Sequence, residues 1–595
     1  MISQLSWKVG GQQGEGIEST GEIFSTAMNR MGYYLYGYRH FSSRIKGGHT
    51  NNKIRVSTKP LRAISDVLDM LVAFDQETID LNAYELRDGG IIIADAKFNP
   101  VLPEGLKQVR LLTVPLTQIA EELGTSLMKN MVSIGASSAI LGIDVESYRN
   151  IVEDMFLRKG EKVVEKNMEA IARGAEFVTN LVGGQLPDFQ LDKAEETDGQ
   201  TRLFMIGNDA IALGSVAAGV RFMPAYPITP ASEVMEYLTK KLPKFGGAVI
   251  QTEDEISAIT MAIGAAYGGA RTLTASSGPG LSLMMEAIGL AGITETPVVI
   301  IDTQRGGPST GMPTKQEQSD FMAMIYGTHG EIPKVVMAPS TVEECFYDTV
   351  EAYNIAEEYQ VPVILMTDIA LSLGKQTTEP LDYSKVEIRR GKLLAGQQLP
   401  ELPADQLFKR YEVTEDGVSP RSIPGQKFGL HHVTGVEHDQ TGRPSESPVN
   451  RNQQVEKRLR KLNDLPAKFP NAVLVDAPNQ EADVLIVGVN STGGTIHEAK
   501  QRLEQEGLKV NHAQIRLLHP FPAEQMKSLV DKARKVVVIE NNATNQISGL
   551  MKMNIGNAEK IETVNKYDGN PFLPNDIYTG VKGLIKHGDV QRVSQ

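Results

Sequence analysis

The sequence predicts a multidomain α/β protein, and three observations carry that expectation. The chain has 595 residues, too many for one hydrophobic core, because single cores stop growing near ~250–300 residues. Short apolar runs bounded by Gly, Asp or Pro recur along it and alternate with helical stretches, as buried strands joined by helices do. The 55 Gly accompany these runs, as tight strand-to-helix turns require, instead of collecting in low-complexity tracts.

Residues 1–190 form the first predicted domain. Its candidate strands are Leu5–Val9, Tyr33–Tyr38, Lys53–Ser57, Met70–Phe74, Gly90–Ala94 and Val109–Val114, and runs of this kind predict a parallel sheet. The polar stretch Asp188–Gln200 contains no large apolar residue beyond Phe189 and Leu191 and marks a linker. A second α/β domain spans 201–373, with strands at Val249–Gln251, Thr272–Ala275, Pro297–Asp302 and Val361–Thr367. Residues 374–471 are rich in Pro, Gly and charge, which predicts an irregular connection with one basic helix near Gln454–Asn463. Periodicity returns in 472–595 at Asp483–Val489, Leu508–Ile515 and Lys535–Glu540, a smaller third α/β domain. No short internal repeat is visible.

Composition excludes several classes. A formal charge of −13 argues against nucleic acid or an anionic membrane as main partner. No window offers the ~20 apolar residues of a spanning helix, and the opening MISQLSWKVGG lacks the basic-then-apolar order of a signal peptide. A cytoplasmic protein is expected. Cys345 is the single cysteine, so the chain has no internal disulfide, no cysteine-based zinc site and no iron–sulfur cluster of its own.

Four segments of the second domain concentrate chemistry. Tyr226-Pro227-Ile228-Thr229-Pro230-Ala231-Ser232-Glu233 follows the strand-like Arg221–Ala225 and precedes a helix. The prolines on either side of Thr229 stiffen a loop at a strand's carboxyl end, where open α/β sheets bind ligands. A rigid turn with Ser232 as helix cap is the alternative. Gln251-Thr252-Glu253-Asp254-Glu255 then opens a helix with Ile256, Ile259 and Ile263 on one stripe. Thr252 and Glu255 have capping-box spacing, yet three successive acids are more than a cap requires. Thr274-Ala275-Ser276-Ser277-Gly278-Pro279-Gly280 ends a strand and starts a helix, exposing N–H groups and hydroxyls to a polar ligand. Finally Thr303-Gln304-Arg305-Gly306-Gly307-Pro308-Ser309-Thr310-Gly311 places an arginine at a strand end before a Gly-rich loop. Arg305 suits bidentate capture of a carboxylate, or it anchors the loop.

Taken in order and spacing, YPITPASE, QTEDEISAI, TASSGPGLSLMMEAIG and TQRGGPSTG resemble the pyrimidine-type domain of the 2-oxoacid:ferredoxin oxidoreductase α subunit, as does the leading GNDAIALGSVAAG of Gly207–Gly219. VLIVGVNSTGG (Val484–Gly494), IRLLHPFP (Ile515–Pro522) and VVVIENNATNQ (Val536–Gln546) resemble the transketolase-C-like domain that follows it. Residues 1–190 resemble the family's γ subunit, fused ahead of α.

The resemblance implies that thiamine diphosphate lies between two subunits, with its diphosphate and Mg²⁺ held mainly by a β subunit. Glu255 matches the glutamate that hydrogen-bonds the pyrimidine N1′ and favours the imino form that removes the C2 proton. Glu253 is the neighbouring alternative, and the spacing to Gly264 favours Glu255. Thr229 matches the threonine near the substrate's keto and carboxylate groups, and Arg305 the arginine that binds the 2-oxoacid carboxylate. Ser276, Ser277 and Gly278 are the further cofactor candidates. The resemblance implies oxidative decarboxylation of a 2-oxoacid to an acyl-CoA, with electrons passing through [4Fe-4S] in the β subunit to ferredoxin or flavodoxin. The layout, with γ fused to α and no Cys-rich segment, is closest to the two-subunit 2-oxoglutarate enzymes, as a heterodimer or dimer of heterodimers. Pyruvate or broad 2-oxoacid use is the first alternative. A scaffold subunit that only binds CoA or a nucleotide is an alternative of another class.

Coenzyme A is assigned by the γ resemblance to the N-terminal domain, where Gly11, Gly14 and Gly16 of Gly10–Gly16 follow a strand and open a helix. Their spacing is not G-x-G-x-x-G, so glycines serving a tight turn are the competing explanation. Arg39, Arg44 and Lys46 are placed to meet CoA phosphates or to be solvated. His431, His432, Glu437 and His438 cluster without the helical spacing of metal ligands, and no metal is expected in this chain. Met284 and Met285 read as core filler.

Overall fold

Both ends of the Gln4–Gln12 strand are exposed while every residue between is buried, as expected of a central strand. It lies in an eight-stranded sheet whose spatial order is Arg110–Val114, Leu86–Asp95, Leu68–Ala73, Gln4–Gln12, His49–Ser57, Tyr34–His40, Lys375–Thr378 and Leu203–Ile206. This computed structural model describes residues 2–42, 47–106, 108–184, 186–194, 202–587 and 591–592. The chain divides into two compact units, the first comprising Met1–Met205, Leu373–Pro380 and Leu573–Asn575.

All six strands expected in the N-terminal domain are present. The sheet, however, is mixed rather than parallel: Gln4–Gln12 pairs parallel with Leu68–Ala73 but antiparallel with His49–Ser57, which pairs antiparallel with Tyr34–His40. Residues 41–48 are too few for the crossover of a dozen or more residues that parallel pairing needs, so these two strands form a hairpin. Trp7 stacks on Phe24 with ring centroids 4.4 Å apart and donates to Ser137 Oγ at 3.1 Å. The helices Lys129–Leu141 and Glu161–Val182 cross at Gly135 and Gly174, where an added Cβ would lie 1.8 Å from the Ile171 oxygen and 2.1 Å from the Val132 oxygen.

The second unit comprises Ile206–Ser372, Leu381–Phe572 and Asp576–Gln595. Its first sheet orders Leu273–Ser276, Val298–Gln304, Pro362–Asp368, Val335–Met337 and Leu517–His519. The first four pair parallel, and the two-stranded pair Phe222–Ala225 and Ala248–Gln251 adjoins them through a bridge from Phe222 to Thr272. Leu517–His519 belongs to the C-terminal part of the chain and pairs antiparallel with Val335–Met337. Arg516 beside it forms a buried ion pair with Asp348. The other sheet of this unit orders Val473–Asp476, Val510–Ile515, Ala482–Val489, Ala533–Glu540, Ile561–Asn565 and Gln591–Arg592.

Residues 374–471 differ from expectation at both ends. Lys375–Thr378 is a strand that completes the N-terminal sheet, with Lys375 opposite Gly37 and Gln376 opposite Tyr36. Its polar sequence, Lys-Gln-Thr-Thr, has no apolar alternation to announce it. The basic helix begins earlier than expected, at Pro448, and ends at Arg460. Ser447 caps it by accepting from the Asn450 N–H at 3.4 Å, and a proline is favoured at the first helical position. Between these elements the connection is irregular yet buried. Glu295 is fully buried and receives Lys457 Nζ at 2.6 Å and Lys461 Nζ at 2.5 Å. Burial opposes its ionisation, but the Lys461, Lys457 and Arg410 cations outweigh that and hold its carboxyl well below the ordinary range. Among the described residues no helix is long and apolar enough to cross a membrane.

Candidate functional site

The carboxyl ends of Phe222–Ala225, Ala248–Gln251, Leu273–Ser276 and Val298–Gln304 lead directly into the four segments singled out in the sequence. Glu255 is the first residue of the Glu255–Tyr267 helix. The capping box expected from Thr252 and Glu255 does not form. Asp254 is the cap, accepting from the Ser257 N–H at 2.7 Å, while Thr252 Oγ1 donates to the Asp254 carbonyl at 2.8 Å. An aspartate immediately before the helix stands at the N-cap position itself, two residues after Thr252, and satisfies the helix's own N3 donor. Glu255 is therefore released from structural duty. It is only 7% exposed, and no hydrogen bond or ion pair to its carboxylate occurs among the described residues, whereas Glu253 is exposed.

Gly280 brings Glu255 and Ser276 together. A Cβ there would lie 2.0 Å from Ser276 Oγ and 2.8 Å from Glu255 Oε1, so the absence of a side chain is what admits both groups. Ser276 and Ser277 are fully buried and their hydroxyls have no partner among the described residues. Ser277 precedes the Gly278–Ile293 helix without capping it. A Cβ on Gly278 would stand 2.8 Å from Asp320 Oδ2.

Arg305 extends this cluster to Thr229. Its Nη1 donates to the Thr229 carbonyl at 2.7 Å and its Nη2 to the Thr310 carbonyl at 3.3 Å, while Nε is buried without an acceptor among the described residues. Arg305 thus ties two loops together and keeps one donor in reserve. Desolvation lowers its pKa, opposed by the Asp320 charge. The loop beyond it turns sharply: Gly306 accepts from the Met312 N–H at 2.8 Å, and Gly311 has φ +55° with no room for a Cβ. Thr229, Arg305, Gly278, Ser276 and Glu255 consequently belong to one contiguous site linked through Asp320 and Gly280.

Asp302 and Asp320 were not singled out from the sequence. Asp302 closes the apolar run Val298–Ile301, where a charge on a buried strand was the available signal. Asp320 is held at three neighbouring points by the Asn541–Gln546 loop: Asn541 accepts from the Gln318 N–H at 2.8 Å, Gln546 Nε2 donates to the Ser319 carbonyl at 2.7 Å and Gln546 Oε1 accepts from the Met322 N–H at 3.0 Å. The loop's own start is fixed by Glu540, buried and accepting from the Ile547 and Ser548 N–H groups.

In the N-terminal unit, Gly11 lies near the end of the Gln4–Gln12 strand, and Gly14 and Gly16 in the turn that joins it to the Ile17–Arg30 helix. Gly11 is packed against Glu15, Ile17 and Phe74, and Gly16, at φ +82°, against Asn130. Gly14 has φ +99° with open space around it. Glu15 accepts from the Gln12 N–H at 3.0 Å and pairs with Lys129 at 2.7 Å. Two of the three glycines therefore meet packing needs of the strand end and its turn. Arg39 forms an ion pair with Glu18; Arg44 and Lys46 lie outside the described residues. His431 bonds Tyr267 Oη at 2.8 Å and the Gly429 carbonyl at 2.8 Å. His438 is fully buried with Nδ1 3.0 Å from the Val436 carbonyl, Glu437 pairs with Arg451 and Arg458, and His432 takes no part in these contacts. Among the described residues no three His, Cys, Asp or Glu are arranged to hold a metal. Met284 is core, fully buried, and Met285 packs against that core.

Three family models match the chain: pyruvate ferredoxin/flavodoxin oxidoreductase over residues 6–177, the thiamine-diphosphate-binding domain of pyruvate flavodoxin/ferredoxin oxidoreductase over 213–457, and core domain II of pyruvate:ferredoxin oxidoreductase over 482–577. The chain is 33% identical to a 2-oxoacid:ferredoxin oxidoreductase α subunit of Aeropyrum pernix, covering 98% of each. It is 37% identical to the 2-oxoglutarate synthase subunit KorA of Methanocaldococcus jannaschii, over 64% of this chain and 99% of that one. A solved 2-oxoglutarate:ferredoxin oxidoreductase from Magnetococcus marinus, with 2-oxoglutarate, coenzyme A and succinyl-CoA bound, superposes with a TM-score of 0.91 at 36% identity, over 98% of this chain and 100% of that one. The chain belongs to the 2-oxoacid:ferredoxin oxidoreductase family, as an α subunit.

Proposed function

We propose that the chain carries the cofactor-activating half of a 2-oxoglutarate:ferredoxin oxidoreductase and acts only with a β subunit. The observation that supports this most is Glu255, a buried carboxyl group at a helix start with no partner among the described residues. An unpaired buried carboxyl group is costly, and donating its own O–H in a hydrogen bond to a ring nitrogen removes that cost. The residues thus fit thiamine diphosphate, with Glu255 holding its aminopyrimidine and Ser276, Ser277 and Gly278 lining it. When bound, the cofactor supplies a carbon acid that adds to the 2-oxo carbon and accepts the electron pair left as CO₂ departs. This chain's share is to hold a proton at Glu255, to receive the substrate carboxylate on Arg305 and to set its keto end against Thr229.

A partner is supported by the surface of the same helices. Ile256, Met261 and Leu283 are 49%, 40% and 52% exposed, and Ile250 and Tyr226 add 41% and 39%. Helices that are apolar on their outer faces as well as their inner ones are usually covered by another chain. In this reading the β subunit covers that face and brings Mg²⁺, the diphosphate site and [4Fe-4S], since Cys345 is fully buried and cannot hold a cluster alone. Electrons leave to ferredoxin or flavodoxin, and CoA is received by the N-terminal unit around Gly14, the open glycine of its turn.

The 2-oxoglutarate assignment rests on the Magnetococcus marinus structure and on the KorA relatives. It is tested by a 2-oxoacid panel with a viologen acceptor. The expected result is a kcat/KM for 2-oxoglutarate at least tenfold above that for pyruvate. Equal values would reassign the chain to a broad 2-oxoacid enzyme.

A further inference from the structure

The segment 316–322 stands between two parts of the site, and its hold comes from the third domain. Asp320 Oδ2 is buried without a partner among the described residues, and a Cβ on Gly278 would lie 2.8 Å from it. The Asp320 backbone N–H donates to Gln304 Oε1 at 3.1 Å, one residue before Arg305. Asp320 therefore abuts the loop assigned to the cofactor and braces the strand end assigned to the substrate. Residues 316–320 carry no helix or strand, so their backbone groups and their position depend on ties from outside.

Gln546 supplies the central tie. Its Nε2 donates to the Ser319 carbonyl at 2.7 Å and its Oε1 accepts from the Met322 N–H at 3.0 Å, so one amide spans the peptides on either side of Asp320. A primary amide is suited to this because it carries donor and acceptor on one planar head. Beside it, Asn542 Nδ2 donates to the Gln318 carbonyl at 3.1 Å, and Gln318 Nε2 donates to Asp368 at 2.6 Å. The loop that carries Gln546 is itself fixed from below. Asn565 Nδ2 donates to the Asn542 carbonyl at 2.9 Å and to Asn545 Oδ1 at 2.7 Å, and Asn541 Nδ2 donates to the Lys566 carbonyl at 2.6 Å. Apolar packing already joins these elements: Phe321 and Met324 share one core with Ile547 and Leu550, each 1% exposed except Ser- and Gln-bearing turns outside it. Docking thus has its own source, and what the Gln546 bonds add is the place of Asp320.

We propose that Gln546 is a positioning residue for the oxidoreductase reaction: its amide fixes Asp320 against Gly278 and Gln304, and through them sets the cofactor loop and Arg305. This rests on the assignment of Gly278 to the cofactor and of Arg305 to the substrate carboxylate. The third domain then contributes geometry and no reacting group. Without the amide, the Ser319 carbonyl and the Met322 N–H lose their partner, and Asp320 is free to withdraw from Gly278 and Gln304. The loss falls on the 2-oxoacid and spares CoA, which the N-terminal unit receives.

The test compares kinetic constants with stability in the complex purified with the chain, at a temperature where every variant is folded. Gln546→Ala is expected to lower kcat/KM for 2-oxoglutarate about tenfold, the factor that one hydrogen bond of ordinary strength carries, with the KM for CoA unchanged. Gln546→Glu keeps the length and the acceptor for Met322 but turns an oxygen toward the Ser319 carbonyl in place of a donor, and it should lose at least as much. Asn511→Ala is the control for mere destabilisation. Asn511 accepts from the Asn479 N–H at 3.1 Å and donates to the Asn479 carbonyl at 2.9 Å in the same sheet. Its replacement should lower thermal stability and leave both constants at wild-type values. A wild-type kcat/KM in Gln546→Glu overturns the proposal, and so does a fall in Gln546→Ala that Asn511→Ala matches. Should Gln546→Ala fail to fold, the near-isosteric Gln546→Glu decides alone. If Arg305→Lys leaves kcat/KM for 2-oxoglutarate unchanged, the Arg305 assignment itself fails. If Arg305→Lys lowers it while both Gln546 variants act as wild type, only the positioning role is lost.

Discussion

Replacing Glu255 by Gln is expected to slow C2 proton exchange of bound thiamine diphosphate by ~10²–10⁴-fold, the range of general acid–base contributions, with thermal stability nearly unchanged. The structure sharpens this expectation. Asp254, not Glu255, caps the helix, so the substitution leaves the helix start intact. Glutamine fills the same space beside Gly280 but cannot share a proton with a ring nitrogen as a carboxyl does. Exchange of deuterium at C2, followed in the two-subunit complex, measures the step directly. Normal exchange would transfer the role to Glu253 or abolish it.

The second large effect is expected at Arg305. Arg305→Lys keeps the charge but loses the planar fork that reaches the Thr229 and Thr310 carbonyls. Hydrogen bonds to charged groups are worth about 1.5–3 kcal/mol, or roughly 10- to 150-fold, and kcat/KM for the 2-oxoacid should fall by that factor. The KM for CoA should not change. A 2-oxoacid profile equal to wild type would leave Arg305 as a tie between loops and nothing more.

These two sites differ in how far the sequence revealed them. The order of strand ends carrying Thr229, Glu255, Ser276 and Arg305 was legible because each follows a short apolar run, with Pro or Gly marking the turn at all of them but Glu255, where successive acids mark it. What the helix start would do with its acids was not legible: Thr252 and Asp254 both have capping chemistry, and only backbone geometry decides between them. Gly278 and Asp320 are far apart in sequence and are packed together by the return of the 316–322 segment, a tertiary relation with no local signal. The same holds for the Asn541–Gln546 loop, whose sequence signature was visible but whose grip on Gln318, Ser319 and Met322 was not. In the first domain the strands were visible and their directions were not, because apolar runs report burial while direction depends on the connection. Lys375–Thr378 carries no local signal, since a short polar strand has neither period nor length to mark it.

Separate purification and recombination test the central claim most directly, namely that this chain activates the cofactor and a partner supplies the electron path. The chain alone and its partner subunit are each assayed for bound iron and for CoA-dependent reduction of a viologen by 2-oxoglutarate, and then assayed together. The account predicts a colourless, iron-free and inactive chain, with iron in the partner and activity only in the mixture, lost again when the chain carries Glu255→Gln. Stoichiometric iron–sulfur in the isolated chain, or reduction by the partner without it, would contradict that claim.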